Sequence, residues 1–549
     1  MADPDVRPVH RYVSGDPRRF LTDALAGFVA AHDHIAWEPD PGFLYRTDRE
    51  DGGVALVSGG GSGHEPMHSG LIGAGMLDAA CPGLVFTSPN ALQVAAATRH
   101  VDRGDGVLHI VKNYTGDVMN FRVARRLVDG DVETDHVLID DDVATDSDHD
   151  GPGRRGTGAT VIVEKVCGAA AARGDSLSAV ADLGRRVAAG ARSFSVAFAP
   201  CTVPGADRTS FDLAPDEMEY GVGIHGESGV DRIPQQPVDE LVSGMLGRIL
   251  DALAPDDGEP LIVFVNGLGS THPLELGVVF DQVVRQLTAR GLEVRRSLVA
   301  TLVTALDMAG FSLTVVRCDD EIVELFDAPT AAPGWPARTA TTSAQPVDVT
   351  FAEPDDAADD GPECVWLSAF VERVQGSIDE LTDLDRRAGD GDFGANMSAA
   401  LDHLDLPLRG SEASVARALS TSFLVRSGGT SGAVFGTLFA ELATAADASD
   451  GADVLANGVA NALHEITDLG GARVGDNTLV DALAPASDAL ASGATLDEVA
   501  AAAESGAEST RDLVASRGRA SYVGDRARGV VDPGALVIAW LFRAAADHR

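Results

Sequence analysis

Up to about residue 330, short β-rich runs alternate with stretches of helical periodicity. Val54-Ala-Leu-Val57, Val107-Leu-His-Ile-Val111, Val137-Leu-Ile139, Ser195-Val-Ala-Phe198 and Leu261-Ile-Val-Phe-Val265 read as buried strands, because each is a short and largely continuous apolar run. Windows 160–173, 176–190, 237–253 and 276–291 repeat apolar residues at helical spacing, several of them closed by glycine. Strands alternating with helices predict α/β layers. The recurrence predicts two lobes joined near residue 190.

The pattern then changes. Residues 329–362 hold Pro329, Pro333, Pro336, Pro346, Pro354 and Pro362, Ala-Thr runs and an acidic cluster, without apolar periodicity. This stretch reads as a linker. From Glu363 strand signals vanish, and 363–380, 395–405, 412–426, 432–446, 453–468, 477–491, 496–516 and 534–547 read as helices. The expected architecture is multidomain: a two-lobed α/β domain over 1–330, a linker over 331–362, and an all-α domain of about eight helices over 363–549.

Composition narrows the function. Apolar residues make up 45% and aromatics 5%, which suits cores of Val, Leu and Ala. A net charge of −42 argues against nucleic acid or an anionic membrane as partner. Only Lys112 and Lys165 are lysines among 42 basic residues, so each lysine is conspicuous. Five scattered cysteines (81, 167, 201, 318, 364) form no C-x-x-C pair, which indicates neither a disulfide framework nor a zinc site. The first residues lack the apolar region of a secretory signal, and no apolar run reaches the roughly 20 residues of a membrane span. A soluble, cytoplasmic protein is expected.

The candidate chemistry sits in glycine-rich turns. Asp385, Asp390 and Asp392 stand at i, i+5 and i+7 around Gly389, Gly391 and Gly394, so the three acids can converge on a hard divalent cation such as Mg²⁺. With 84 acidic residues a bare D-x-D also recurs by chance. Ser427-Gly-Gly-Thr-Ser-Gly432 precedes a helix expected near Ala433, where free N–H groups and two hydroxyls make a phosphate cradle or an ordinary cap. In the first domain a strand runs into Ser58-Gly-Gly-Gly-Ser-Gly-His-Glu-Pro66, which is neither a lysine-bearing phosphate loop nor a dinucleotide fingerprint. His64 there is a candidate acid or base. Lys112 and Asp117 follow a strand, where α/β sheets bind ligands, and His225 stands between glycines in Gly221-Val-Gly-Ile-His-Gly226.

Together these motifs resemble the dihydroxyacetone kinase family over nearly the whole chain. Gly59–Pro66, Lys112-Asn-Tyr-Thr-Gly-Asp117 and Gly221–Gly226 look like its substrate-binding domain. Asp385 with Gly389–Asp392, Gly428–Gly432, Gly518-Arg-Ala-Ser-Tyr522 and Asp532-Pro-Gly-Ala535 look like its nucleotide-binding domain. Two fused domains resemble the ATP-dependent single-chain kinases rather than the phosphoprotein-fed systems of separate subunits. The resemblance implies that His225 forms a covalent hemiaminal with a ketose. It implies that Gly61, Ser62, Gly63, His64, Lys112 and Asp117 surround that ketose, with Asp117 as general base and His64 as its acid–base partner. It implies two Mg²⁺ ions on Asp385, Asp390 and Asp392. Phe393, Gly394, Asn396, Thr430, Ser431, Gly470, Leu479, Arg519, Asp532, Pro533 and Gly534 are implied to line the ATP pocket.

The implied substrate is dihydroxyacetone, with erythrulose as the alternative, and the implied assembly is a homodimer. A regulatory paralogue is disfavoured because His225, Asp117 and the metal acids are all retained; a flavin-dinucleotide cyclase side activity stays compatible. Three positions depart from the family pattern: Phe393 where His or Cys is common, Asn477 in place of Arg or Lys, and Leu479 in place of Met.

Overall fold

Two six-stranded sheets absorb the apolar runs of the first part of the chain. In the computed structural model, residues 12–13, 15–48, 52–146, 153–336, 343–349, 361–389, 391–448, 452–515 and 528–549 are described. The chain divides into two units, Met1–Asp348 and Val349–Arg549.

In the first unit, one sheet runs in the order Ile35–Glu38, Phe43–Arg46, Ala79–Val85, Ala55–Ser62, Val107–Lys112, Thr134–Ile139. Its last four strands pair in parallel, so their carboxyl ends open on one edge. The other sheet runs Glu293–Ala300, Pro260–Gly267, Ala309–Arg317, Ala191–Ala199, Glu217–Tyr220, Asp231–Pro234, and only its first pair is parallel. The chain leaves the first sheet after Ile139 and enters the second at Ala191, as the two-lobe reading expected.

Helix Ala159–Arg173 lies in the passage between them. Residues 159–170 are all buried, and side chains of both sheets (Leu56, Ile110 and Val137; Ile262, Phe264 and Val316) share its core cluster. A helix buried on every side belongs inside, not on a surface.

The stretch read as linker begins as part of this unit, which corrects that reading for its described residues. Ala332 and Trp335 are buried in the same core, Gly334 N–H donates to Gly70 O at 2.7 Å, and Ala344 N–H to Val294 O at 2.8 Å. Its prolines end regular structure without preventing packing, because Trp335 supplies enough apolar surface to hold the segment down.

The second unit contains nine described α-helices: Val365–Gln375, Ile378–Ala388, Phe393–Leu401, Glu412–Arg426, Gly429–Ala448, Ala452–Gly470, Val480–Ala491, Leu496–Ser509 and Pro533–His548. The single helix expected over 363–380 is broken, because Ser377 after Gly376 leaves helical dihedrals (φ −130°, ψ 18°). Their inward faces form one apolar cluster from Trp366 to Ala545. Among the described residues no helix is long and apolar enough to cross a membrane.

Candidate active site

In the first unit the site is built from strand ends. Strand Ala55–Ser62 is buried throughout, and a Cβ on Gly60 would collide with the Lys112 ammonium, so glycine is required for that close approach. Lys112 ends its strand fully buried, donating to Gly59 O at 3.0 Å and to His68 Nε2 at 2.7 Å. Asp117, in the first turn of helix Thr115–Val128, faces Lys112 Nζ at 3.7 Å, and its Oδ1 is buried without a hydrogen-bond partner.

His225 comes from the loop after strand Glu217–Tyr220. Its ring lies 4.7 Å from His64, 4.4 Å from Tyr114 and 5.8 Å from Phe86, centroid to centroid. Glu227 Oε2 accepts the His225 backbone N–H at 2.8 Å, while Arg155 reaches Glu227 (3.1 Å), Gly221 O (2.9 Å) and Asp142 (2.8 Å). This clamp holds the loop in place.

The histidines are neutral for a physical reason. Burial is the largest cause pulling His64 well below its usual range, with His225 and Lys112 adding repulsion. Burial also lowers His225, opposed by Glu227. The geometry also selects the His64 tautomer. Its Nδ1 lies 2.8 Å from Thr304 O, which can only accept, so Nδ1 carries the proton and Nε2 a lone pair. That Nε2 is buried and without a partner.

Of the residues expected around the ketose, the structure brings His64, Lys112, Asp117 and His225 into mutual electrostatic reach, with Gly61 in the adjoining strand. Ser62 and Gly63 serve differently. The Ser62 hydroxyl donates to Gly83 O at 2.7 Å, and both residues line a neighbouring cavity of about 710 Å³ with Phe20, Phe28 and Thr304. Sequence reasoning passed over Tyr114, His68, Glu164 and the Arg155–Glu227 clamp. His68 stands four residues beyond His64, and Glu227 two beyond His225, but nothing in that spacing reveals their partners.

The second unit carries a separate cavity of about 370 Å³. It is lined by the starts of four helices: Asp392 and Phe393; Thr430 and Ser431; Leu479 and Val480; Asp532, Pro533 and Gly534. The positive ends of four helix dipoles thus meet at one place, which suits phosphates. Helix Gly429–Ala448 begins four residues earlier than expected, which puts Thr430 and Ser431 in its first turn. Gly470 and Asp385 complete the expected lining.

Gly394 and Asn396 are not among the lining residues. Gly394 packs instead against Thr382 and the Ile378 carbonyl, where a Cβ would collide. Asp390 and Arg519 fall outside the described residues. Among the described residues no three potential metal ligands cluster. The donor chemistry still suits a hard cation, since Asp385, Asp392 and Asp532 line one cavity. Burial, reinforced by Asp481 and Asp385, pushes Asp532 up to about 7. Asn477, at φ 60°, lines the same cavity with its carbonyl oxygen buried and unpartnered. Asparagine tolerates that left-handed backbone better than most residues.

Comparisons with known proteins follow the same division. The Dak1 domain matches residues 26–334 and the DAK2 domain residues 387–547. A triokinase/FMN cyclase of Rattus norvegicus is 36% identical over 95% of this chain and 96% of its own. An L-erythrulose 1-kinase of Mycolicibacterium smegmatis is 35% identical over 98% of this chain and 99% of its own. Among solved structures, the dihydroxyacetone kinase of C. freundii in complex with AMP-PNP and Mg²⁺ matches at TM-score 0.63 and 30% identity, covering 98% of this chain and 100% of that one.

Proposed function

Because this chain belongs to the dihydroxyacetone kinase family, with both family domains fused, we propose that it transfers the terminal phosphoryl group of ATP to dihydroxyacetone held covalently on His225. The membership carries the coarser activity: an ATP-dependent kinase of a short-chain ketose.

In this reading a neutral His225 nitrogen adds to the ketone carbon, and the carbonyl oxygen takes up a proton to give the hemiaminal. The adduct holds the acceptor hydroxyl in one orientation and rejects glycerol, which has no carbonyl. Asp117 accepts the hydroxyl proton as oxygen attacks phosphorus, with His64 Nε2 as its acid–base partner. Asp385 and Asp392, together with Asp390, would hold two Mg²⁺ ions, which neutralise phosphate charge when bound. Thr430, Ser431 and the four helix starts receive the phosphates. The observation that carries the reading is the pair of buried, unpartnered acceptors, His64 Nε2 and Asp117 Oδ1, in the site that holds the His225 ring. Buried polar atoms without partners mark a place for a ligand.

A four-carbon ketose, D- or L-erythrulose, is the second reading, supported by the mycobacterial relative. A cytoplasmic homodimer belongs to the same proposal. The test is Mg²⁺- and ATP-dependent ADP release on dihydroxyacetone, both erythruloses and glycerol, with His225→Ala alongside. Turnover on dihydroxyacetone, none on glycerol and a loss of about 1,000-fold or more in the variant is the expected outcome. An erythrulose preference changes the substrate and keeps the mechanism. ATP binding without turnover on any ketose overturns the reading in favour of a phosphoprotein donor or a regulatory protein.

A further inference from the structure

Glu164 and Lys165 stand side by side in helix Ala159–Arg173, both fully buried. Charged residues in a core helix need partners. Lys165 has a structural one, since its Nζ donates to Leu325 O at 2.8 Å, in the last turn of helix Asp320–Asp327. Glu164 connects instead to the ketose site. Its Oε1 lies 2.6 Å from His68 Nδ1, and His68 Nε2 lies 2.7 Å from the Lys112 ammonium that faces Asp117.

The donors and acceptors in this chain allow one assignment. Gly59 O only accepts, so Lys112 donates to it, pairs with the Asp117 carboxylate at 3.7 Å, and donates to a lone pair on His68 Nε2. The remaining ring proton is then on Nδ1 and goes to Glu164. Ser58 Oγ, 3.1 Å from Nδ1 and 2.9 Å from Ile110 O, also acts on the Glu164 carboxyl, whose charged form it favours. Burial pushes Glu164 up to about 8, opposed by Ser58 and Lys112, and burial lowers Lys112, opposed by Asp117 and then by Glu164. Other titratable groups coupled to this cluster are His64, His225, Tyr114 beside Asp117, and Cys167 beside Glu164.

We propose that His68 and Glu164 are positioning residues for the transfer: Glu164 orients the His68 ring, and His68 anchors the Lys112 side chain that faces Asp117. The inference rests on Asp117 acting as base in the reading above. Its test has a readout besides turnover, because the chain has only two lysines. Protein labelled with ¹³C at lysine Cε gives two resonances, assigned with Lys165→Arg, and the Lys112 midpoint can be followed against pH.

Glu164→Leu is expected to lower that midpoint by about 1 pH unit or more. It is also expected to cut kcat by ~10–100-fold with KM for ATP unchanged. Glu164→Gln keeps the acceptor for Nδ1–H without the charge. It should stay within about 3-fold of wild type at pH 7 and lose the alkaline limb of the kcat profile. A Lys112 midpoint and kcat unmoved in Glu164→Leu overturn the proposal, as does a Gln variant that falls as far as the Leu variant. Should Glu164→Leu not fold, His68→Gln replaces it with the same expected fall in the midpoint. Wild-type protein without ketose turnover overturns the kinase reading, while the Lys112 midpoint still decides the anchoring.

Discussion

The two sites solve opposite electrostatic problems. In the first site the charges stand beside fixed partners: Lys112 between Gly59 O, His68 and Asp117, and Arg155 between Asp142 and Glu227. In the second unit Asp385, Asp392 and Asp532 line one cavity, and burial, reinforced by Asp481 and Asp385, pushes Asp532 up to about 7. On the proposed reading, a site that captures its substrate through one carbon–nitrogen bond needs atoms held to a fraction of an ångström, which buried strand ends supply. On the same reading the second site receives a polyanion with its cations, and its carboxylates would hold the cations. The first site should therefore fail through displaced geometry, and the second through lost charge.

Gly60→Ala tests the geometric half with the largest expected effect. The added methyl must push the Lys112 ammonium off its partners, so ketose turnover should fall by about 100-fold or more while the ATP-induced thermal shift stays at its wild-type value. A variant with wild-type turnover means that Lys112 has room to adjust, and that the contrast between the sites is overstated.

Asp385→Asn tests the charge half. Mg²⁺ and ATP at ~100 times Kd stabilise the wild type by about 2.7 kcal/mol, seen as a shift of roughly 5–10 °C. The variant should lose most of that shift and leave ketose binding intact. If Mg²⁺ makes no difference to the wild-type shift, the carboxylates do not hold cations.

Asn477→Gly gives the smallest effect and sharpens the same contrast. Glycine keeps the left-handed backbone, so the substitution isolates the amide side chain. ATP affinity should weaken by about 2–10-fold if that amide bonds the nucleotide. An unchanged Kd by titration calorimetry makes Asn477 a turn residue and nothing more.

Much of the fold was legible before any coordinates. Strands Val107–Lys112 and Pro260–Gly267 are continuous apolar runs, and both were expected. Strand Ala79–Val85 was not, because Ala-Ala-Cys-Pro-Gly carries no strong β signal, and neighbouring strands place it where its own composition does not. The edge strands Ile35–Glu38 and Phe43–Arg46 are four residues each, too short to show a period. Among site residues, motifs located His225, His64, Asp117 and Lys112. The Glu164–His68 contact could not be read, because a glutamate inside an apolar helical run gives no sign of which distant ring it will meet.

The sequence by itself determined the order of domains, the family, and which residue types stand at the ends of strands and helices, since all of these are local properties of the chain. Tertiary structure alone decided protonation and partnership. The His64 tautomer depends on a carbonyl 240 positions away, and the charge state of Glu164 depends on its burial between two sheets. Hydrogen-bond direction and desolvation are set by whatever surrounds a group in space, and only the folded chain supplies those surroundings.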